Sequence, residues 1–357
     1  MAKLCLITDT HWGARNDSLA FLDYFSKFHD NIFFPYLEKH GIKTILHLGD
    51  IVDRRKFINY VVLNRLKDRF IKPVMERGID FHCIVGNHDI PFRNTNEINA
   101  LRELFEGMDV PTINYYWEPK ELSFDGCDIL MMPWINKQNY DDSLQAIVDT
   151  KAQICMGHFE LSGFQVMRGI KHDHGMDSNL FNKFELVCSG HFHHRHSKGN
   201  VHYLGSPYEI FWSDYNDSRG FHVFDTDTRE LEFIRNPYRL FHKIVYNDKE
   251  KSLEDSIDFN FSSYTDTYVK VIIQEKTNPY AFDLFMDKLY KADPVNVSIV
   301  EDHKHLDKQP DEEIVNEAED TLTILTKFVD NLNFDGDNAQ LNTLIRELYH
   351  EASTVEV

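Results

Sequence analysis

The sequence predicts an α/β fold, in which buried strands alternate with helices, and two patterns support this prediction. The first is a short apolar run that ends in a polar turn, which recurs up to about residue 240 as KLCLITDTHWG, TILHLGDIVDRR, DFHCIVGNHD, AQICMGHFE and ELVCSGHFHHRH. Continuous apolar runs suit strands that are covered on both faces. The second is the helical spacing of residues 21–40 and 61–77, the latter ending at Gly78. Together they indicate sheets with crossover connections.

The chain changes character beyond residue 200. Antiparallel strands of a second sheet in the same domain are predicted for NVHYLGSPYEIFW, GFHVFDTDT and ELEFIRNP. From about residue 262, a strand, a helix and a strand of a small α+β unit are predicted for SYTDTYVKVIIQ, YAFDLFMDKLY and VNVSIV. We therefore expect a first domain over 1–245, a capping domain over 246–302, an acidic linker over 303–312 and a helical segment over 313–357.

The segment after the linker carries one apolar stripe at helical spacing. Its members are Val315, Ala318, Leu322, Leu325, Val329 and Leu332, and a second short helix is predicted around Leu341, Leu344, Ile345 and Leu348. Two interpretations stay open. The helices form a hairpin packed on their own domain, or they dock on another chain, because an apolar patch of this size favours association.

The composition limits the partners and the compartment of the protein. The 357 residues carry a net charge of −20, which argues against binding nucleic acid through a broad basic face. A phosphate-handling enzyme is still compatible, because bound divalent cations supply local positive charge. The five cysteines form no CxxC pair, as expected of buried thiols in a reducing compartment. No apolar run reaches the length of a membrane span, so we expect a soluble intracellular protein.

Metal-binding side chains follow each of the five predicted strand ends. They are Asp9 and His11, then Asp50 and Asp53, then Asn87, His88 and Asp89, then His158, and finally His191 and His193. In α/β sheets the functional groups collect outside the carboxyl ends of the strands. Imidazoles mixed with carboxylates and an amide oxygen suit Mn²⁺, Fe²⁺ or Zn²⁺. The set is too large for one ion, and it predicts two ions that share a bridging carboxylate.

The order DTH, GDIVD, GNHD, GH and GHFH resembles the signature of the calcineurin-like metallophosphoesterases. Among these the chain is most similar to the SbcD-type DNA nuclease subunits of recombination and repair, including their shorter phage relatives. The stretches YLGSP and RGFHVFD extend the likeness to about residue 240. The resemblance implies a four-layer sandwich, in which two mixed β-sheets are flanked by helices.

The resemblance also implies roles for single residues. One ion would be held by Asp9, His11, Asp50 and His193, and the other by Asp50, Asn87, His158 and His191, with Mn²⁺ as the expected metal. His88 would be the general acid that protonates the leaving oxygen, and the Asp53 carboxylate would orient His88 and raise its pKa. Arg54, Arg55 and Arg93 are candidate substrate contacts.

Other residues near the motifs are expected to have structural roles. Phe192 should point into the core, Trp12 should pack, and Asp89 should support its turn. His194 and His196 are expected to face solvent or the substrate edge, with His194 pointing away from the ions. We expect His172 and His174 to lie in a plain surface loop.

The resemblance implies a Mn²⁺-dependent exonuclease and endonuclease acting on DNA in the cytoplasm of a bacterium or a phage-infected cell. Such subunits form homodimers and work with an SbcC-like coiled-coil ATPase, so residues 246–302 would bind DNA and 313–357 would dock the ATPase. One alternative is a protein phosphatase, but those are expected to have Gly after Arg54 and a GNHE motif, where this chain has Arg55 and Asp89. A small-molecule or cyclic-nucleotide phosphodiesterase fits the motifs equally well. An inactive scaffold is disfavoured, because no expected ligand is missing from the sequence.

Overall fold

The computed structural model describes residues 2–106, 112–249, 252–256, 258, 260–301 and 341. Its strands are β1 Lys3–Ile7, β2 Thr44–His47, β3 Asp80–Ile84, β4 Ile113–Tyr116, β5 Lys120–Phe124, β6 Cys127–Met132, β7 Ile154–His158, β8 Gln165–Met167, β9 Ile170–Lys171, β10 Leu186–Gly190, β11 His196–Lys198, β12 Val201–Tyr203, β13 Gly220–Asp225, β14 Leu231–Arg235, β15 Phe241–Asn247, β16 Tyr268–Glu275 and β17 Asn296–Glu301. Its helices are α1 Ala14–Asp17, α2 Leu19–Phe28, α3 Phe34–His40, α4 Tyr60–Leu66, α5 Lys72–Glu76, α6 Ala100–Phe105, α7 Tyr140–Asp149, α8 Leu253–Ser256 and α9 Pro279–Lys291. Short 3₁₀ turns occur at Ser178–Phe181, Trp212–Asp214 and Phe261–Tyr264.

The two predicted long helices are present. A π-helical turn at His29–Phe33 joins α2 to α3, and another at Lys67–Ile71 joins α4 to α5. The second helix ends before Gly78, whose φ of 58° belongs to the left-handed region that glycine adopts without strain. The helical spacing therefore predicted both elements to within a few residues.

Two six-stranded mixed sheets form the main body, as the predicted fold class requires. The first has the order β14-β13-β1-β2-β3-β4, and the second has the order β11-β12-β10-β7-β6-β5. In the first sheet β1 to β4 are parallel, while β13 is antiparallel to β1. The prediction that the strands of residues 200–240 form the second sheet was wrong for β13 and β14. Local alternation identifies a strand, but it does not specify the neighbour with which that strand pairs.

The apolar strand runs are explained by burial on both faces. In β1, Leu4 and Leu6 pack between the two sheets, while Cys5 and Ile7 pack in the core that contains the helices α2 to α5. Successive side chains of a strand point to opposite faces, so both faces of β1 need apolar residues. The five cysteines are all buried and free, as expected from the sequence.

A separate three-stranded sheet follows the two large ones. Its strands β15, β16 and β17 are all parallel, and α9 connects β16 to β17. Phe285 and Leu289 of α9 pack on Val271 of β16 in a core of their own. This sheet begins at Phe241, inside the range that the sequence analysis gave to the first domain, and the domain division stays a prediction.

The predicted linker 303–312 lies outside the described residues. So does the predicted helical segment 313–357, with its apolar stripe, apart from Leu341. Within the described part of the chain, no helix is both long enough and apolar enough to cross a membrane.

Candidate metal centre

The chain turns sharply where the predicted ligands lie. Asp9, His11, Asp50 and His191 have φ angles of 52°, 41°, 57° and 87°, in the left-handed region that L-residues rarely adopt. Each such residue costs of order 1–3 kcal/mol and persists only where its surroundings hold it. The backbone therefore turns sharply just after β1, where Asp9 and His11 lie.

Asp9, His11 and His193 form a first donor set. The Nε2 atoms of His11 and His193 are 3.0 Å apart, and the Oδ1 atom of Asp9 lies 3.9 Å from each of them. Asp9 and His11 are buried and the His193 side chain is 10% exposed, and one ligand atom from each lies within 4.8 Å of the others. These residues come from the loops after β1 and β10, which the packing of the two sheets brings together.

A second donor set lies around Asp50 and consists of Asp50, Asn87, His158 and His191. The Oδ2 atom of Asp50 lies 3.2 Å from Nε2 of His158, which is 2.9 Å from Oδ1 of Asn87. Nδ1 of His191 lies 3.0 Å from the same Asn87 oxygen. Asp50 also lies 3.8 Å from Nε2 of His11, so its carboxylate touches both sets. The structure thus brings together all seven predicted ligands.

The charges of this cluster suit a cation. Burial alone would raise the pKa of Asp50, but the imidazoles of His158 and His88 outweigh it and hold that pKa well below its usual range. Burial opposes charging of His158, but the Asp50 carboxylate beside it raises that pKa to about 9. Burial and the neighbouring His158 keep the pKa of His191 well below its usual range. Asp50 therefore stays ionised and His191 neutral, the forms that bind metals, while His158 would release its proton on binding an ion.

A buried nitrogen atom without a hydrogen-bond partner also indicates that the donor set fits divalent ions. The Nε2 atom of His191 is buried and has no hydrogen-bond partner among the described residues. A buried nitrogen without a partner costs free energy, and a metal ion would satisfy it. Mixed imidazole, carboxylate and amide donors suit Mn²⁺, Fe²⁺ or Zn²⁺ better than thiolate-preferring ions.

His88 lies beside both sets. Its backbone N–H donates to Oδ1 of Asp50 at 2.8 Å, and its Nδ1 lies 2.6 Å from the main-chain oxygen of Asp53. A carbonyl only accepts, so Nδ1 carries the hydrogen and Nε2 is the nitrogen available to exchange a proton. The Asp53 carboxylate lies 3.3 Å from Nδ1 of His11, and one ligand atom each of His11, Asp53 and His88 lies within 4.8 Å of the others. The role of that carboxylate in orienting His88 stays a prediction.

Asp89 supports the loop that carries Asp50. Its carboxylate accepts from the backbone N–H groups of Asp50, Ile51, Val52 and Gly86, at 2.8 to 3.3 Å. Burial and the nearby Asp50 charge raise the pKa of Asp89 to about 6. A Cβ on Gly86 would collide with the Asp50 carboxylate, so glycine is required where these loops approach each other.

The remaining predicted residues have varied surroundings. Arg54 pairs with Asn16 and Asp17 at the edge of the site, Arg55 is half-buried and Arg93 is exposed. Their role as substrate contacts stays a prediction. Phe192 and Trp12 are buried, as expected.

The histidines outside the donor sets also differ among themselves. His194 pairs with Asp217, with Nδ1 and Oδ2 2.7 Å apart, and Nε2 of His196 accepts from the backbone of Gln165. The expectation of a plain surface loop was wrong for His172. That residue is buried, with its Nε2 2.9 Å from Oε1 of Glu160.

Two residues near the centre were missed by the sequence reasoning. The ring centroid of Trp134 lies 5.2 Å from that of His191 and 6.0 Å from that of His158. The buried guanidinium of Arg219 donates to the main-chain oxygen of His193 and is 2.7 Å from an Asp214 oxygen. Arg219 opens the RGFHVFD stretch, but nothing in that stretch indicates which backbone oxygen it reaches.

Comparison with known proteins agrees with this geometry. A family model described as calcineurin-like phosphoesterase matches residues 2–195. Exonuclease subunit 1 of Enterobacteria phage T4 is 32% identical over 321 residues, which cover 89% of this chain and 90% of that protein. The SbcD subunit of the nuclease SbcCD from Staphylococcus epidermidis is 24% identical over 229 residues, 56% of this chain and 59% of that protein. A solved archaeal phosphodiesterase is 12% identical with a TM-score of 0.34, over 66% of this chain and 99% of that one, a likeness too weak to carry an argument.

Proposed function

The chain belongs to the calcineurin-like phosphoesterases, and from this premise we propose that it is a Mn²⁺-dependent DNA nuclease, the nuclease subunit of a two-part assembly. The observation that carries this proposal is the 32% identity to a phage exonuclease subunit over 89% of the chain. That match extends beyond the five motifs, which are compatible with any phosphoesterase substrate. It therefore favours DNA over the phosphopeptides and cyclic nucleotides that other phosphoesterases cleave.

In this proposal the two donor sets hold two ions. Asp9, His11, Asp50 and His193 hold one, while Asp50, Asn87, His158 and His191 hold the other, with Asp50 as the bridge. When bound, two such ions neutralise charge on phosphate oxygens and activate water for in-line attack.

His88 is proposed as the general acid. Its Nδ1 is held by the Asp53 carbonyl, which fixes the ring and leaves Nε2 to give its proton to the leaving oxygen. Its backbone N–H is held by Asp50, so the ring keeps its place relative to the donor sets. Asp53 contributes to both parts of the site, through its carbonyl to His88 and through its carboxylate to the ligand His11.

The substrate class is tested with four substrates in parallel. Purified protein is incubated with Mn²⁺ and end-labelled single-stranded DNA, duplex DNA, a phosphopeptide or a cyclic nucleotide. We expect cleavage of DNA that stops when the metal is chelated, with at most slow turnover of the other two. Faster turnover of the phosphopeptide or the cyclic nucleotide than of either DNA would reject the proposal.

We propose that the protein acts as a homodimer. Phe57, Tyr60 and Val61 follow the Asp50 loop closely and are 60%, 86% and 51% exposed. Adjacent exposed apolar side chains of this size favour association. Sedimentation should show a dimer for the parent protein and a monomer for Tyr60→Glu. A parent protein that sediments as a monomer at micromolar concentration would exclude this surface as a dimer interface.

We also propose a coiled-coil ATPase of the SbcC type as partner, docked by residues 313–357. Both named relatives are subunits, and the acidic chain needs help to hold a polyanion. Deletion of everything after Gln309 should abolish co-purification of the ATPase and ATP-stimulated processing of duplex ends. Cleavage of short single strands should persist. If the shortened protein still binds the ATPase normally, the docking role of 313–357 is wrong.

A further inference from the structure

The short element α1, Ala14–Asp17, follows His11 and is a left-handed turn rather than an ordinary α-helix. Arg15, Asn16 and Asp17 have φ angles of 55°, 62° and 61°, so three consecutive residues other than glycine lie in the left-handed region. Single residues visit this region, but runs of L-residues are disfavoured because each Cβ crowds the following carbonyl. Such a run persists only where the rest of the structure holds it.

Contacts from the Asp50 side hold this turn in place. The Arg54 guanidinium donates to the side-chain oxygen of Asn16, and its Nε is 3.5 Å from Oδ1 of Asp17. Nδ2 of Asn59 donates to the other Asp17 oxygen at 3.4 Å. The N–H of Ala14 donates to the carbonyl of His11 at 2.9 Å, which ties the turn directly to a donor of the metal centre.

The strained turn places one cation beside that centre. The guanidinium of Arg15 lies 5.6 Å from the ring centroid of Phe211. The Phe211 ring in turn stacks against His193, with centroids 6.1 Å apart and planes 22° apart. Arg15 is exposed, and among the described residues no carboxylate or hydrogen-bond acceptor engages its guanidinium.

We propose that Arg15 binds a DNA phosphate next to the scissile one, and this inference rests on the proposed DNA nuclease function. A planar guanidinium with free N–H groups matches the geometry of phosphate oxygens. Its contact with Phe211 fixes its position without using those groups. In a chain of net charge −20, an arginine that pairs with no acidic side chain of the described residues and lies beside the donor sets is suited to a polyanion. The neighbouring Arg54 supports this contact by holding the turn.

The test compares two chemically identical substitutions. Arg15→Gly removes the guanidinium and relieves the strain of a left-handed backbone. Arg229→Gly makes the same two changes at φ 64° in the turn between β13 and β14. Cleavage of a single-stranded oligonucleotide is measured in Mn²⁺ at several salt concentrations. Hydrolysis of bis(4-nitrophenyl) phosphate, a diester without flanking phosphates, is measured in parallel.

For Arg15→Gly we expect KM for the oligonucleotide to rise roughly tenfold or more, as for loss of one charged hydrogen-bonding contact. The slope of log KM against log salt should fall by about 0.7, as for one phosphate contact on a single strand. The loss on the oligonucleotide should exceed the loss on the small diester. Arg15→Lys should recover most of the salt slope, and Arg229→Gly should match the parent protein.

Three outcomes separate the possible failures. If the parent protein cleaves DNA and Arg15→Gly keeps the parental KM and salt slope, Arg15 does not contact the strand. Equal losses on both substrates would place its effect in the metal centre and also reject the contact. A parent protein that does not cleave DNA would reject the nuclease function itself. If Arg15→Gly fails to fold, Arg15→Gln is measured on both substrates instead, and its KM and salt slope are interpreted in the same way.

Discussion

Two buried carboxylates in this molecule, Asp50 and Glu209, have pKa values that are shifted in opposite directions. Both are about 1% exposed, so burial penalises the charge of each. His158 and His88 hold the pKa of Asp50 well below its usual range despite burial. At Glu209 burial dominates, and it raises the pKa to about 7 although Leu240 and Phe241 donate backbone hydrogen bonds.

The difference lies in what surrounds each group. Asp50 lies beside imidazoles, of which His158 and His11 are candidate ligands, so its charge is kept in a site that a dication would complete. Glu209 uses Oε2 to accept from the N–H groups of Leu240 and Phe241, at 2.7 and 2.9 Å, where the chain enters β15. Its Oε1 is buried without a partner among the described residues. Burial alone therefore does not identify a functional carboxylate, whereas burial among potential ligands does.

The largest effect should follow from removing the Asp50 charge. Asp50→Asn keeps the shape of the side chain but removes the negative charge shared by both donor sets. We expect cleavage to fall more than roughly 100-fold, beyond the usual cost of losing an outer-shell partner, and bound Mn²⁺ to fall from two ions to one or none. Isothermal titration and elemental analysis measure the metal content. Retention of two ions at parental affinity would contradict the bridging role.

His88 separates the chemistry from metal binding. His88→Ser removes the proposed proton donor but none of the proposed ligands. Turnover on DNA should fall by roughly 10²–10⁴, the usual contribution of a general acid, while two ions still bind. Single-turnover cleavage at saturating DNA measures this step. Parental turnover in His88→Ser would exclude the role assigned to it.

Substitution of Asp53 tests whether its carboxylate orients the proposed ligand His11. The Asp53 carboxylate lies 3.3 Å from Nδ1 of His11, and a carboxylate beside the remote nitrogen of a metal-binding histidine favours one ring orientation and raises its basicity. Asp53→Asn should therefore weaken binding of one ion about 10–100-fold, with the second ion less affected. The matched control is Asp80→Asn, because Asp80 contacts His82 at 2.9 Å in another part of the first sheet. Unchanged metal affinity in Asp53→Asn would show that its contact with His11 has no functional weight.

The smallest effect on activity is expected at Glu209. Its folded pKa of about 7 exceeds the ordinary value of 4.5, so its contribution to stability is fully present below pH 4.5 and is lost as pH rises through 7. Glu209→Gln keeps an acceptor for Leu240 and Phe241 but cannot ionise. Between pH 5 and pH 8 the free energy of unfolding of the variant should rise relative to that of the parent protein, by up to about 3 kcal/mol. Denaturant unfolding at several pH values measures this gain, and a pH-independent difference would contradict it.

The sequence predicted the fold class and the convergence of the ligands because the same short segments encode both. Each apolar run ends where its ligands begin, so the run that makes the strand also places the ligand at the sheet edge. GDIVD and GNHD are examples, in which Asp50 and Asn87 come three residues after the ends of β2 and β3.

Other features depend on contacts between distant segments and could not be predicted in this way. The position of the Asp53 carboxylate, 3.3 Å from Nδ1 of His11, depends on how two loops pack. Arg219 reaches the carbonyl of His193 because β13 pairs with β1, a pairing that the alternation of β13 does not encode. Trp134 is a single aromatic residue without a motif around it.

Anomalous diffraction from crystals soaked in Mn²⁺ would reveal the proposed pair of metal ions at Asp50. We expect two anomalous peaks, roughly 3.5–4 Å apart as in other two-metal sites, with the Asp50 carboxylate between them. Crystals of Glu209→Gln should show the same two peaks, because that buried carboxylate lies outside the donor sets. A single peak, or none, beside Asp50 in fully soaked crystals of the parent protein would contradict the proposal of two ions bridged by Asp50.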